Sequence, residues 1–179
     1  MTVSKRKKVF FPAVLFLTVG LLLPAAGSAN LIRFNDFDWG MSLYGVELQA
    51  AGADYRLEEK NADSPDLGLK FSGEVFGDEC EIEFSFTPLG QKLYSVRLTW
   101  EGNIQGNFIL RELLRRYGDP RQEIPAASIH IWTRKFTELE LRYDRDITVL
   151  TYSNLNLWND FKEETELIAE REEENNETE

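Results

Sequence analysis

The stretch Cys80-Glu81-Ile82-Glu83-Phe84-Ser85-Phe86, followed after a short loop by Tyr94-Ser95-Val96-Arg97-Leu98-Thr99-Trp100, decides how this chain folds. In both segments apolar and polar residues alternate. Successive side chains of a strand point to opposite faces, so a period of two marks a strand with one dry face and one wet face. The connection Thr87-Pro88-Leu89-Gly90-Gln91 carries the Pro and Gly of a hairpin loop. Folding about it predicts Phe86 beside Tyr94, Phe84 beside Val96, Ile82 beside Leu98 and Cys80 beside Trp100 on the dry face. Glu83 then faces Arg97 on the wet one. A slip of one residue would set apolar against polar positions along the whole hairpin, so this register is strongly specified.

Outward from the hairpin, Leu67-x-Leu69-x-Phe71 alternates in the same way and predicts a preceding strand. A polar stretch, 58–66, separates it from a short helix over 41–51. Ser42 can cap that helix, Leu43, Val46 and Ala50 share a face, and Gly52 supplies the stop. On the other side, 107–117 reads as a helix whose broad apolar side carries Phe108, Leu110, Leu113, Leu114 and Tyr117. Gly118-Asp119-Pro120 ends it, because Gly tolerates a left-handed cap and Pro cannot continue a helix. After a linker through Pro125, strands are predicted over 128–135, 138–144 and 147–153, with Asp144-Arg145-Asp146 as the last turn.

The expectation is an α+β domain over 30–169: an antiparallel sheet with helices packed on one face, in two tandem helix-then-three-strand units. The subrepeats would be 34–101 and 102–154. Trp158, Phe161, Thr165 and Ile168 fall on one side of a C-terminal helix over 157–169. Beyond it, 170–179 is almost all Glu and Asn, a block that repels itself and builds no core. It is expected to be a disordered acidic tail. Asn176-Glu177-Thr178 matches a glycosylation sequon, a motif short enough to arise by chance.

The N-terminus has a different character. Lys5, Arg6, Lys7 and Lys8 precede an apolar run over 9–23, then Pro24 and Ala25-Ala26-Gly27-Ser28-Ala29. A charged region, a short apolar core and a small-residue cleavage site make residues 1–29 read as a secretory signal peptide cut before Asn30. The apolar run is about 15 residues, short of the roughly 20 that span a bilayer. The expected location is the periplasm or the exterior, without stable membrane insertion after cleavage.

Charge narrows the partners. The chain has 31 Asp and Glu against 20 Lys and Arg, a net charge of −11. The four basic residues of the signal leave with it and no acid does, so the mature chain is more acidic still. Phosphate backbones repel such a protein, and no nucleic-acid partner is expected.

Chemistry-bearing motifs are sparse. The sequence has no G-x-S-x-G, H-E-x-x-H or C-x-x-C, and no phosphate-cradling glycine loop. His130 is the single histidine, so a multi-histidine metal centre is excluded and no metal or cofactor is expected. Any histidine base would have to be His130, yet no neighbouring serine has the context of an activated nucleophile. Cys80 is the single cysteine, so no internal disulfide can form, and its place in an alternating strand marks it as a small core residue. Glu79, Glu81 and Glu83, like Glu138 and Glu140, read as the wet face of a sheet. No catalytic residue stands out, and no binding residue is singled out. Of the tryptophans Trp39, Trp100, Trp132 and Trp158, most are expected in the core, Trp158 anchoring the last helix.

The order of elements, with Trp39-Gly40-Met41-Ser42 opening one helix and Tyr117-Gly118-Asp119-Pro120 closing the next before Trp132 and three strands, resembles a class of small bacterial envelope proteins. These have tandem α-β repeats; beta-lactamase inhibitor proteins and the small lipoprotein of the outer-membrane barrel-assembly machine are of this kind. The resemblance covers roughly 34–154. It implies a non-enzymatic module that binds another envelope protein. The chain departs from it in lacking both the inhibitor's disulfides and the lipoprotein's lipidated cysteine, so no residue role carries over. Two other readings are a carboxylate-based hydrolase acting on envelope carbohydrate and a carrier of a small apolar ligand.

Overall fold

The computed structural model describes residues 32–62, 67–102 and 104–176. The proposed signal peptide, residues 1–29, and most of the sequon lie outside them. The elements are α1 (Leu43–Gly52), β1 (Arg56–Asn61), β2 (Gly68–Val75), β3 (Asp78–Phe86), β4 (Leu93–Glu101), α2 (Ile104–Tyr117), β5 (Gln122–Ile124), β6 (Ile129–Arg134), β7 (Thr137–Tyr143), β8 (Ile147–Asn154) and α3 (Leu155–Asn176). The fold is α+β: eight strands form one antiparallel sheet in the order β1-β2-β3-β4-β8-β7-β6-β5.

Units of a helix and three strands are not what the chain forms. Four strands follow each of α1 and α2, and all eight share one sheet joined through β4 and β8. The two additional strands lie in segments read as a polar separator and a linker. Both β1 and β5 are sheet edges, and nearly every residue in them is exposed. An edge strand that buries neither face has no reason to alternate, so its sequence carries no period of two. The charges of Arg56, Glu58, Glu59 and Lys60, with a bulge between Leu57 and Glu59, suit an edge that must not recruit another strand.

One face of the sheet is covered. Leu69, Phe71, Ile82, Phe84, Leu98, Trp100, Leu139, Leu141 and Leu150 point into a single core with Val46 and Ala50 of α1 and Ile109 and Leu113 of α2. The segment before α1 completes this layer: Ile32, Phe34 and Phe37 are all buried, and Phe37 lies 4.8 Å from Phe84 between ring centroids. Each such side chain, removed from water, contributes roughly 1.5–3 kcal/mol. Ser42 caps α1 as its sequence implies, its Oγ accepting from the Gly45 N–H at 3.2 Å. At the start of α2, a β-carbon on Gly106 would lie 2.5 Å from Cγ of Tyr143, so only glycine lets the helix approach β7 this closely.

The central hairpin keeps the expected register with one correction. Phe84 pairs with Val96, Ile82 with Leu98 and Glu83 with Arg97, but Phe86 pairs with Leu93. The bulge makes Tyr94 the extra residue, and it leaves the core to pack on α3.

The last helix is longer than expected. It begins at Leu155 and continues to Asn176, so the acidic stretch over 170–176 is helical rather than disordered. Glu and Ala are strong helix formers, and a helix already anchored upstream extends at little cost. The side of α3 carrying Phe161, Thr165 and Ile168 is half-buried, and Glu164 shares it.

Candidate functional site

The face opposite the core is met by α3 at one end, where Tyr94 packs on Trp158 and Phe161. Its side chains form rows running across the strands, fixed by the register. One row holds Ser85, Ser95, Ser153, Glu138 and Thr133. The next holds Lys70, Glu83, Arg97, Thr151, Glu140 and Ile131. A third holds Ser72, Glu81, Thr99, Val149, Arg142 and Ile129. On the central strands β4 and β8 these positions are Ser95, Thr99, Ser153 and Thr151, broken by Arg97 and Val149.

A cleft of about 350 Å³ lies where this face meets α3. Glu83, Ser85, Ser95, Arg97, Glu138, Thr151 and Ser153 line it from the sheet, and Tyr94, Leu155 and Trp158 close its end. Arg97 Nη1 lies 3.7 Å from Glu83 Oε2, the cross-strand pair expected from the hairpin. Being exposed, such a pair is worth at most about 1 kcal/mol and serves register more than stability. Trp158 stays 40% exposed although its ring stacks on Phe161 at 5.2 Å, so an aromatic surface borders the hydroxyl row.

Three contacts hold α3 in place. Tyr94 packs against Trp158 at 5.5 Å and Phe161 at 4.9 Å. Lys92 Nζ reaches Asp160 Oδ2 at 4.0 Å. The Glu164 carboxylate accepts from the N–H groups of Leu89 and Gly90, at 2.6 and 3.0 Å, and so grips the β3–β4 loop.

The other residues weighed in the sequence fall elsewhere. His130 is on β6, facing the covered side of the sheet beside Trp132; its ring stacks 5.9 Å from Tyr143 with planes 8° apart. Its Nδ1 lies 3.5 Å from Glu123 Oε1 but makes no hydrogen bond. Cys80 is buried, and burial together with Asp78 and Glu79 pushes its thiol up to about 12, so it stays protonated and unreactive. Trp100 and Trp132 belong to the core, Trp39 packs partly buried against it, and Trp132 Nε1 donates to the Gly118 carbonyl at 2.8 Å. Among the described residues, no group of three or more His, Cys, Asp or Glu is placed to hold a metal ion. None of their helices is long and apolar enough to cross a membrane.

Of the acids, Glu83 and Glu138 share the cleft, but they stand on β3 and β7, three strand spacings apart. At about 4.8 Å per spacing their backbones are separated by roughly 14 Å. Arg97 and Thr151 stand between them. The hydroxyl row of Ser85, Ser95 and Ser153 was legible only as polar positions of alternating strands, because adjacency across β3, β4 and β8 depends on the pairing of distant segments.

No family model, curated protein or solved structure matches the chain.

Proposed function

We propose that this is an exported, non-enzymatic module that binds another envelope protein on the open face of its sheet. One observation carries the reading: beyond the end where α3 packs on Tyr94, the face opposite the core has no covering layer, and a half-exposed tryptophan borders it. A broad, rigid surface of hydroxyls and charges with an aromatic rim suits a protein partner, for which aromatics supply anchors and the rim supplies polar contacts. The export half of the proposal rests on the pattern of residues 1–29.

The two rival readings gain less. A carboxylate hydrolase needs two acids facing one bond, and Glu83 and Glu138 stand on strands three spacings apart with Arg97 and Thr151 between them. A carrier of apolar ligands needs an apolar lining, whereas Glu, Arg, Ser and Thr dominate this cleft.

A photo-crosslinking amino acid at Thr151, on the open face, tests the proposal in the native envelope against the same probe at the exposed Arg111 of α2. A discrete adduct from Thr151 alone, lost when Arg97→Glu is added, is expected. Equal adducts from both positions, or none from Thr151, would refute it.

A further inference from the structure

A second cleft lies at the β2–β3 turn, the opposite end of β3 from the loop that Glu164 grips. Its volume is about 280 Å³, and Arg33, Glu74, Phe76, Arg116, Tyr117 and Tyr152 are among the residues lining it. They come from the segment before α1, the end of β2 and its turn into β3, the end of α2 and the C-terminal part of β8. In a chain of net charge −11, its lining brings together two guanidinium groups and one carboxylate, with Asp36, Asp38 and Glu112 standing behind the arginines.

The turn itself is unusual. Val75 pairs with Asp78, so Phe76 and Gly77 are the two turn residues, with φ of 58° and 85°. Such two-residue turns favour Asn-Gly, and a bulky side chain seldom takes a left-handed backbone. Phe76 is held there by its surroundings: its ring packs 6.2 Å from Trp100, and the Arg116 guanidinium sits over it at 5.6 Å. Backbone strain of this kind collects at ligand clamps. Here it buttresses an arginine at the mouth of a cleft.

Both arginines have donors to give. Asp38 at 2.8 Å and Asp36 at 3.9 Å hold Arg33, and Glu112 holds Arg116 at 3.5 Å, but a guanidinium offers five N–H groups, more than these contacts use. Burial raises the pKa of the Tyr117 and Tyr152 phenols, so both keep their protons at neutral pH.

We propose that this cleft binds a small organic carboxylate, its oxygens on Arg33 and Arg116 and its apolar part against Phe76 and Tyr117. The planar fork of arginine matches a carboxylate. The volume falls just under the range of drug-sized ligands and suits a single-ring acid. This site is separate from the open face, and neither result depends on the other.

Benzoate is the probe, followed by amide chemical shifts in the protein, with benzyl alcohol and benzylammonium as controls of equal shape. Benzoate should saturably shift Phe76 and Tyr117 while the controls do not. Arg116→Gln, at an exposed position, should weaken binding about tenfold. Arg33→Gln gives the same reading should the first variant fail to fold. An equal response to benzyl alcohol, no response to benzoate, or unchanged affinity in the folded variant would overturn the proposal.

Discussion

Tyr94 meets Phe161 with ring centroids 4.9 Å apart, because Leu93 has taken the place opposite Phe86 that unbroken alternation assigns to Tyr94. One extra residue in β4 thus turns an aromatic side chain from the core to the final helix.

That contact makes α3 part of the fold. Phe161→Ala should destabilise the protein by about 2 kcal/mol, less than a fully buried aromatic because its ring is half-exposed. Deleting 170–179, of which residues 170–175 are exposed, should change stability by less than about 0.5 kcal/mol. Urea melts of the two variants measure both values, and equal losses would mean that the helix is anchored further along than Phe161.

Glu164 should be readable one amide at a time. Its carboxylate takes both the Leu89 and Gly90 protons, so Glu164→Ala should speed hydrogen exchange at these two sites. Amides in the middle of β3 should keep their wild-type protection. Exchange followed by NMR separates a local release of the loop from a general loss of stability.

Cys80 should be silent until the protein unfolds. With its thiol pushed up to about 12 by burial, it is expected to resist iodoacetamide at pH 8 and to react fully in denaturant. Mass spectrometry of native and denatured samples decides the matter; rapid native labelling would contradict a buried thiol.

The β7–β8 turn should weaken in acid. Asp144 Oδ1 accepts from the backbone N–H groups of Asp146 and Ile147 at 2.9 and 3.1 Å, and these two bonds hold its carboxyl below the ordinary aspartate value. A depressed folded pKa means that the turn's contribution is complete above the unfolded value and fades as pH falls through the folded one. Titration of the Asp144 side chain by NMR should therefore give a midpoint below 3.8, and Asp144→Ala should remove the acid-dependent part of the turn's exchange protection.

How much of this was legible follows from what each segment buries. The strands β2, β3, β4, β7 and β8 each bury one face, so alternation exposed them, and the Ser42 cap and Gly118 stop marked helix ends. Arg56–Asn61 and Gln122–Ile124 bury almost nothing, so composition made them look like linkers. The acidic end of α3 misled for a related reason: charge repulsion argued for disorder, while helix propensity and the anchor at Phe161 favoured extension. The open face was visible as polar positions, but its serine row and the Arg33–Arg116 cleft join residues far apart in the chain, which no local pattern records.

The seam between β4 and β8 has a consequence for any fragment of this protein. Seven residue pairs, from Ser95↔Ser153 to Glu101↔Ile147, stitch the two groups of four strands together in antiparallel sense. A fragment ending at Glu101 would bare the full length of β4, with the greasy Val96, Leu98 and Trp100 side chains missing the neighbours that β8 and α2 bring. The nearest replacement is the same bare strand of another copy, which presents the same ladder when turned through a half-rotation. Cutting the molecule in two would therefore yield a sticky piece that completes its sheet by self-pairing.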